Sequence, residues 1–172
     1  LVQGSGNGIS HIYKTQNGGT TWTTQTNPTD ADGGIGTDFT RGQAWYDLAI
    51  AVDPNQRNTL IIGGVDEFKS TNGGTSWTQL THWYGGFSLQ YMHADNHIVV
   101  YQPGSSSVVY FGNDGGVWRS SNGGTTIADR DSGYNVTQFY CCAINPTSGS
   151  NQFMAGAQDN GTQQFSSAGM NG

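Results

Sequence analysis

An octet that the chain repeats three times constrains its fold more than any other feature. Thr15-Gln16-Asn17-Gly18-Gly19-Thr20-Thr21-Trp22 returns as Ser70-Thr71-Asn72-Gly73-Gly74-Thr75-Ser76-Trp77 and as Ser120-Ser121-Asn122-Gly123-Gly124-Thr125-Thr126-Ile127. The pattern is Ser/Thr-x-Asn-x-Gly-x-Thr/Ser-aromatic, and Ile127 is its one departure. Asn and paired glycines tolerate the positive φ of a tight hairpin. The Ser/Thr and Asn side chains satisfy backbone groups inside the turn, and the Trp packs over it from the outgoing strand. A hairpin that recurs at long, regular intervals predicts a repeat architecture.

The segments between the octets supply the rest of each unit. Trp45–Val52 predicts a buried strand that ends at Asp53-Pro54-Asn55. Thr59–Gly64, Glu67–Ser70 and Ser76–Leu80 predict three more, so one unit holds four antiparallel strands, the composition of a propeller blade. Ile98–Tyr101, Val108–Gly112 and Val117–Ser120 repeat the plan, and Phe139–Ile144, Gln152–Gly156 and Thr162–Phe165 begin it again. Pro54, Pro103 and Pro146 mark the same corner in each unit. The asparagines of the octets lie 55 and then 50 residues apart (17 to 72 to 122). The expectation is an all-β chain, part of a β-propeller of four-stranded blades. It forms a single partial domain over 1–172, with units at about 9–26, 44–81, 97–131 and 137–166. About three blades fit this length, whereas propellers close with four to eight. The rest of a parent chain, or further copies, is therefore expected to complete the ring. A chain that begins at Leu1 also points to a processed or excised segment. Residues 27–43, rich in Gly and Asp, predict a long surface loop.

The octet resembles the Asp-box (BNR) repeat of sialidases, of Vps10/sortilin-type domains and of xyloglucan-degrading endoglucanases, with Asn in place of Asp in all three copies. Asn113-Asp114-Gly115-Gly116 before the third octet, and Ala157-Gln158-Asp159-Asn160-Gly161-Thr162 near the end, resemble secreted bacterial glycosyl-hydrolase-like proteins with such repeats. The resemblance implies a propeller, an extracellular or cell-surface location and a glycan as the class of partner. In the xyloglucanase-like enzymes it implies two catalytic acids on different blades, so a partial chain need not carry both. Sialidases clamp a carboxylate with an arginine cluster. Here Arg41, Arg57, Arg119 and Arg130 are scattered and no Arg-Ile-Pro signature occurs, which argues against that activity.

Composition narrows the classes further. A formal net charge of −6 and a pI near 4.7 exclude the basic face of a nucleic-acid binder. No apolar run is long enough to span a bilayer as a helix. Cys141 and Cys142 are adjacent and project to opposite faces of a strand, so they are expected as small buried residues rather than a disulfide. Asn135-Val136-Thr137 and Asn160-Gly161-Thr162 match a glycosylation sequon but read as turns.

Repetition also separates scaffold from site, because scaffold residues recur in every unit and site residues do not. The outstanding unique stretch runs from His82 to His97 and holds three of the four histidines. Counted back from the corner prolines, His93, Asp95 and His97 align with Ala44, Tyr46 and Leu48 and with Val136, Gln138 and Tyr140, none of which repeats the set. In an extended strand, residues at i, i+2 and i+4 share a face. His93, Asp95 and His97 are therefore candidate ligands for a divalent ion such as Zn²⁺ or Ca²⁺, against the plainer expectation that the histidines bond loop backbone. Asp47, Asp95 and Asp114 are the candidate carboxylates for glycoside hydrolysis, which needs one protonated and one ionised group. Trp83, Tyr84 and Phe87, beside glycines, are candidates for stacking on sugar faces. The two functional expectations are a carbohydrate-active, glycoside-hydrolase-like segment and a non-catalytic binding or structural module of a secreted or cell-surface assembly.

Overall fold

The computed structural model describes residues 1–134 and 137–166 and the backbone of 169–171. Asn135 and Val136, on which one sequon and one counterpart of His93 fall, lie outside the described residues. Among the described residues there is no helix, and none therefore long and apolar enough to cross a membrane. The chain divides into two compact units, Leu1–Asp131 and Ser132–Gly172.

In the first unit, β1 (Val2–Gln3), β2 (Ile9–Lys14) and β3 (Thr23–Gln25) form a three-stranded sheet. β4 (Ala49–Val52), β5 (Leu60–Gly63), β6 (Glu67–Ser70) and β7 (Thr78–Gln79) form the first complete one. A short parallel pair follows, β8 (Thr81–His82) with β9 (Gln90–Tyr91). β10 (Asn96–Tyr101), β11 (Val109–Asn113), β12 (Gly116–Ser120) and β13 (Ala128–Asp129) form the second complete sheet. The second unit is one sheet of β14 (Phe139–Ile144), β15 (Phe153–Ala157), β16 (Thr162–Ser166) and β17 (Gly169–Asn171). Every four-stranded sheet pairs antiparallel in sequence order, with no crossover. That meander is a propeller blade, and the fold is part of a β-propeller.

The octets form the β2–β3, β6–β7 and β12–β13 turns, and all three are built alike. The first hydroxyl accepts from the glycine amide four residues on: Gly19 N to Thr15 Oγ1 at 2.9 Å, Gly74 N to Ser70 Oγ at 2.9 Å, Gly124 N to Ser120 Oγ at 2.8 Å. The Asn carbonyl oxygen accepts from the next amide, Thr21 N at 2.9 Å, Ser76 N at 2.9 Å and Thr126 N at 2.8 Å. Both glycines of each turn have positive φ, for example 73° at Gly73 and 91° at Gly74, a region that costs side-chain-bearing residues energy. Ser70 is buried, so Ser70→Ala strands the Gly74 amide. The expected loss is about 1–3 kcal/mol. Asn72→Asp keeps the acceptor for Ser76 N, and Ser76 Oγ can donate in place of the lost Asn72 amide donor, so it is expected to cost under about 1 kcal/mol. Chemical denaturation checks this; equal losses in the two variants would contradict it.

Two apolar layers hold the first unit together, and β5 belongs to both. Its four residues are all buried. Ile61 joins Ala49, Val99, Tyr101, Val109, Phe111 and Trp118 on one side. Leu60 and Ile62 join Ile12, Phe39 and Phe68 on the other. A strand covered on both faces has no reason to alternate polar and apolar residues, which explains the unbroken Leu-Ile-Ile run.

Three expectations change. Residues 27–43 contain no strand, yet they are not simply a surface loop. Phe39 and Thr40 are fully buried, and Phe39 packs edge-on against Phe68 at 5.7 Å. Asp38 fixes this segment by accepting from Ile9 N at 3.0 Å, Thr40 Oγ1 at 2.7 Å and Gly42 N at 2.9 Å. Gly8 is needed there, since a Cβ would collide with the Asp38 carboxylate. Trp45 lies before the strand rather than in it and is 63% exposed. Cys141 and Cys142 are free thiols on exposed positions of β14, not buried ones.

Candidate functional site

β4 and β10 are the first strands of adjacent blades and pack side by side, so the residues just before them converge. Asp47 lies two residues ahead of Ala49, and Asp95 lies one ahead of Asn96. The last rung of the β10–β11 ladder pairs Asn96 with Asn113, which sets Asp114, the next residue, opposite Asp95. Ligand oxygens of Asp95 and Asp114 lie within 4.8 Å of one another. The three candidate carboxylates, from three separate stretches, thus meet at one end of neighbouring strands.

Two side chains hold Asp114. His97 Nε2 donates to Oδ1 at 2.7 Å, and the Tyr46 hydroxyl lies 3.1 and 3.0 Å from the two oxygens. The Tyr46 and His97 rings meet edge to face at 4.7 Å, and the exposed Trp45 ring lies 5.4 Å from Tyr46. Asp95 Oδ1 accepts from Gln43 Nε2 at 3.3 Å. The turn that carries Asp114 is braced from within, because Asn113 Nδ2 donates to the His93 carbonyl at 2.9 Å and Gly115 N donates back to Asn113 Oδ1 at 3.0 Å.

Asp47 is fully buried, and neither of its oxygens has a hydrogen-bond partner. Burial raises its pKa to about 8, with the Asp95 carboxylate as the next cause and Asp38 and Asp114 adding to it. Its own backbone amide, a larger influence than Asp38 or Asp114, pulls the other way without cancelling the rise. Asp47 is therefore a neutral acid at neutral pH.

Residues 93–97 are not continuously extended. Asp95 has φ +63°, a left-handed conformation that Asp tolerates better than most residues. That turn breaks the alternation which would place His93, Asp95 and His97 on one face. His97 serves Asp114 instead, and His93 Nδ1 lies 3.2 Å from the Ala94 carbonyl, in the backbone-bonding role of the plainer expectation.

Trp83, Tyr84 and Phe87 are exposed by 41, 53 and 53%. Tyr84 and Phe87 pack on a different group, the fully buried His82, with ring centroids at 4.1 and 5.0 Å from it, and Trp83 meets Tyr84 at 4.8 Å. Below them Arg41 faces Asp30 at 3.1 Å, Asp32 at 3.4 Å and Asp66 at 3.6 Å. Trp45, Tyr46, Asp30 and Asp66 carry no motif that marks them as site residues in the sequence. For Tyr46 one signal existed, since it is the counterpart of Asp95 counted from the corner prolines.

No family model and no curated protein matches the chain. Among solved structures it is similar to the Niastella koreensis GH74 enzyme at 21% identity and a TM-score of 0.46, over 92% of this chain and 24% of that one. It is similar to YCF48 bound to D1 peptide at 14% identity and a TM-score of 0.47, over 92% and 44% of the two chains. An ancestral GH74 enzyme matches at 17% identity and a TM-score of 0.47, over 99% and 24%. The chain thus spans between about a quarter and under half of the length of these propeller-bearing chains.

Proposed function

We propose that this chain carries the acid–base centre of a secreted carbohydrate-active propeller that hydrolyses glycosidic bonds, with further blades closing the ring around it. The observation that carries the reading is the meeting of Asp47, Asp95 and Asp114 at one end of β4 and β10. Glycoside hydrolysis needs a proton donor and a carboxylate at one bond. Asp114, steadied by His97 and Tyr46, is the carboxylate beside the sugar. Asp95 is the second carboxyl at the same opening, and the buried, neutral Asp47 behind it is the proton store that the pair draws on. The close spacing of Asp95 and Asp114 leaves no room for a water between them and a sugar, so it favours a retaining over an inverting course. Trp45, exposed beside Tyr46, offers a flat face on which a sugar ring stacks.

The test is affinity electrophoresis and reducing-end release on a panel of plant and algal polysaccharides. Retardation on at least one glycan, lost in Trp45→Ala, is expected together with release of reducing ends. Retardation without release would replace the enzyme by a non-catalytic glycan-binding module. Neither retardation nor release on any glycan would sink both.

A further inference from the structure

We propose that Asp30, Asp66 and His82 form a binding site for one divalent transition-metal cation, with Zn²⁺ the best match, that pins the 27–43 segment to the blade of β4–β7. The three come from distant stretches: Asp30 from the long connection, Asp66 from the turn before β6, and His82 from β8. One ligand atom of each lies within 4.8 Å of the other two, and all three residues are buried.

His82 is the observation that points to a ligand. It is fully buried, and neither ring nitrogen has a hydrogen-bond partner, although the imidazole abuts two carboxylates. Asp66 is also buried, its carboxyl supported by the Arg41 guanidinium at 3.6 Å and the Trp83 backbone amide. Polar groups out of water without partners are costly and rare. A cation bound between His82 and Asp66 would give the imidazole the partner it lacks.

Charge leads to the same cation. Three carboxyl groups, those of Asp30, Asp32 and Asp66, face the single guanidinium of Arg41, so acidic groups outnumber the base, although burial raises Asp66 to about 7. Arg41 engages Asp30 through Oδ2, and the Asp32 amide donates to Asp30 Oδ1 at 2.8 Å. Each carboxylate oxygen offers two lone pairs, so Asp30 can ligate without giving up either contact. One imidazole nitrogen with two carboxylate oxygens is a zinc-type donor set, whereas Ca²⁺ and Mg²⁺ take oxygen. Neighbouring donors around a tetrahedral Zn²⁺ with bonds of about 2.0–2.1 Å stand roughly 3.3 Å apart. Donor atoms within 4.8 Å of one another would close to that spacing on binding. Tyr84 and Phe87 pack on His82 and Tyr84 donates to Asp32 Oδ2 at 3.2 Å, giving the site an aromatic cover and slow exchange. This site is separate from the Asp47–Asp95–Asp114 centre and does not rest on the hydrolase reading.

The experiment uses the full chain, stripped with chelator and then titrated with ZnCl₂ in a calorimeter, with Co²⁺ as a spectroscopic probe. One equivalent of Zn²⁺ is expected, with Tm raised by ~5–10 °C at a hundredfold excess over Kd. The Co²⁺ form is expected to show the intense visible absorption of a four-coordinate site. His82→Gln and Asp66→Asn should each abolish the binding. Should a variant fail to fold, the Co²⁺ spectrum of the parent protein decides alone. No binding, an unchanged Tm and the spectrum of hydrated Co²⁺ would overturn the proposal, as would Zn²⁺ binding undiminished in folded forms of both variants.

Discussion

Replacing Asp47 by Asn is expected to remove a steep loss of stability that the native protein suffers between about pH 4 and pH 8. Burial, then Asp95, Asp38 and Asp114, raise the Asp47 carboxyl from 3.8 to about 8 in the folded chain. The folded state therefore binds a proton through this interval that the unfolded state has released. Stability then falls as pH rises, at about 1.4 kcal/mol per pH unit from this one group. The stabilisation is complete below the unfolded pKa and is gone once pH passes the folded one. For a domain of this size that slope is about 3–5 °C of Tm per pH unit. Asn cannot titrate, so the variant should lose this part of the slope, whatever its stability at any single pH. The check is a series of thermal melts of both proteins from pH 4.5 to 8.5, in chelator so that no metal contributes. Parallel curves for the two proteins would contradict the account of Asp47.

Local chemistry explains what the sequence made legible. The octets specify their own turns, because the hydroxyl, the Asn and the two glycines that build each one lie within five residues. The corner prolines were informative for a similar reason. At each corner the residue before the proline donates its amide across the same rung: Asp53 to Thr59 O, Gln102 to Val108 O and Asn145 to Gln152 O. Strand positions followed from these two anchors, so the four-stranded unit was readable without long-range information.

The site was legible only in part, since it depends on which strands become neighbours. Asp95 and Asp114 flank the open end of the β10–β11 pair, and the uniqueness of the 82–97 stretch marks the first of them. The proposed face of His93, Asp95 and His97 assumed an extended backbone, and a single left-handed residue undid it. Asp tolerates that conformation without any neighbouring signal. Trp45 reads as the start of a buried strand because it leads into the largely apolar stretch that ends at Val52, before Asp53-Pro54-Asn55. The Asp30–Asp66–His82 cluster had no signature at all. Its members lie in three segments whose approach is set by Phe39 entering the core and carrying Asp30 and Arg41 with it.

The second large effect concerns Asp114. Asp114→Asn keeps the size of the side chain and retains an oxygen to accept from His97 and Tyr46, so the fold should persist. The amide cannot serve as a nucleophile or take up a proton. Loss of a positioned acid–base group costs about 10²–10⁴-fold in rate. Tyr46→Phe should cost less, because it removes one support of the carboxylate and leaves His97. Asp95→Asn should fall with Asp114→Asn, since the proposal has both acting on one bond. The central claim is that these carboxylates perform glycoside hydrolysis, and the most direct measurement is reducing-end release by the native chain and by folded Asp114→Asn on the glycan that retards it. The account predicts release by the native protein and about 10²–10⁴-fold less by the variant. Equal release by the two, or none by the native protein on a glycan it binds, would contradict it.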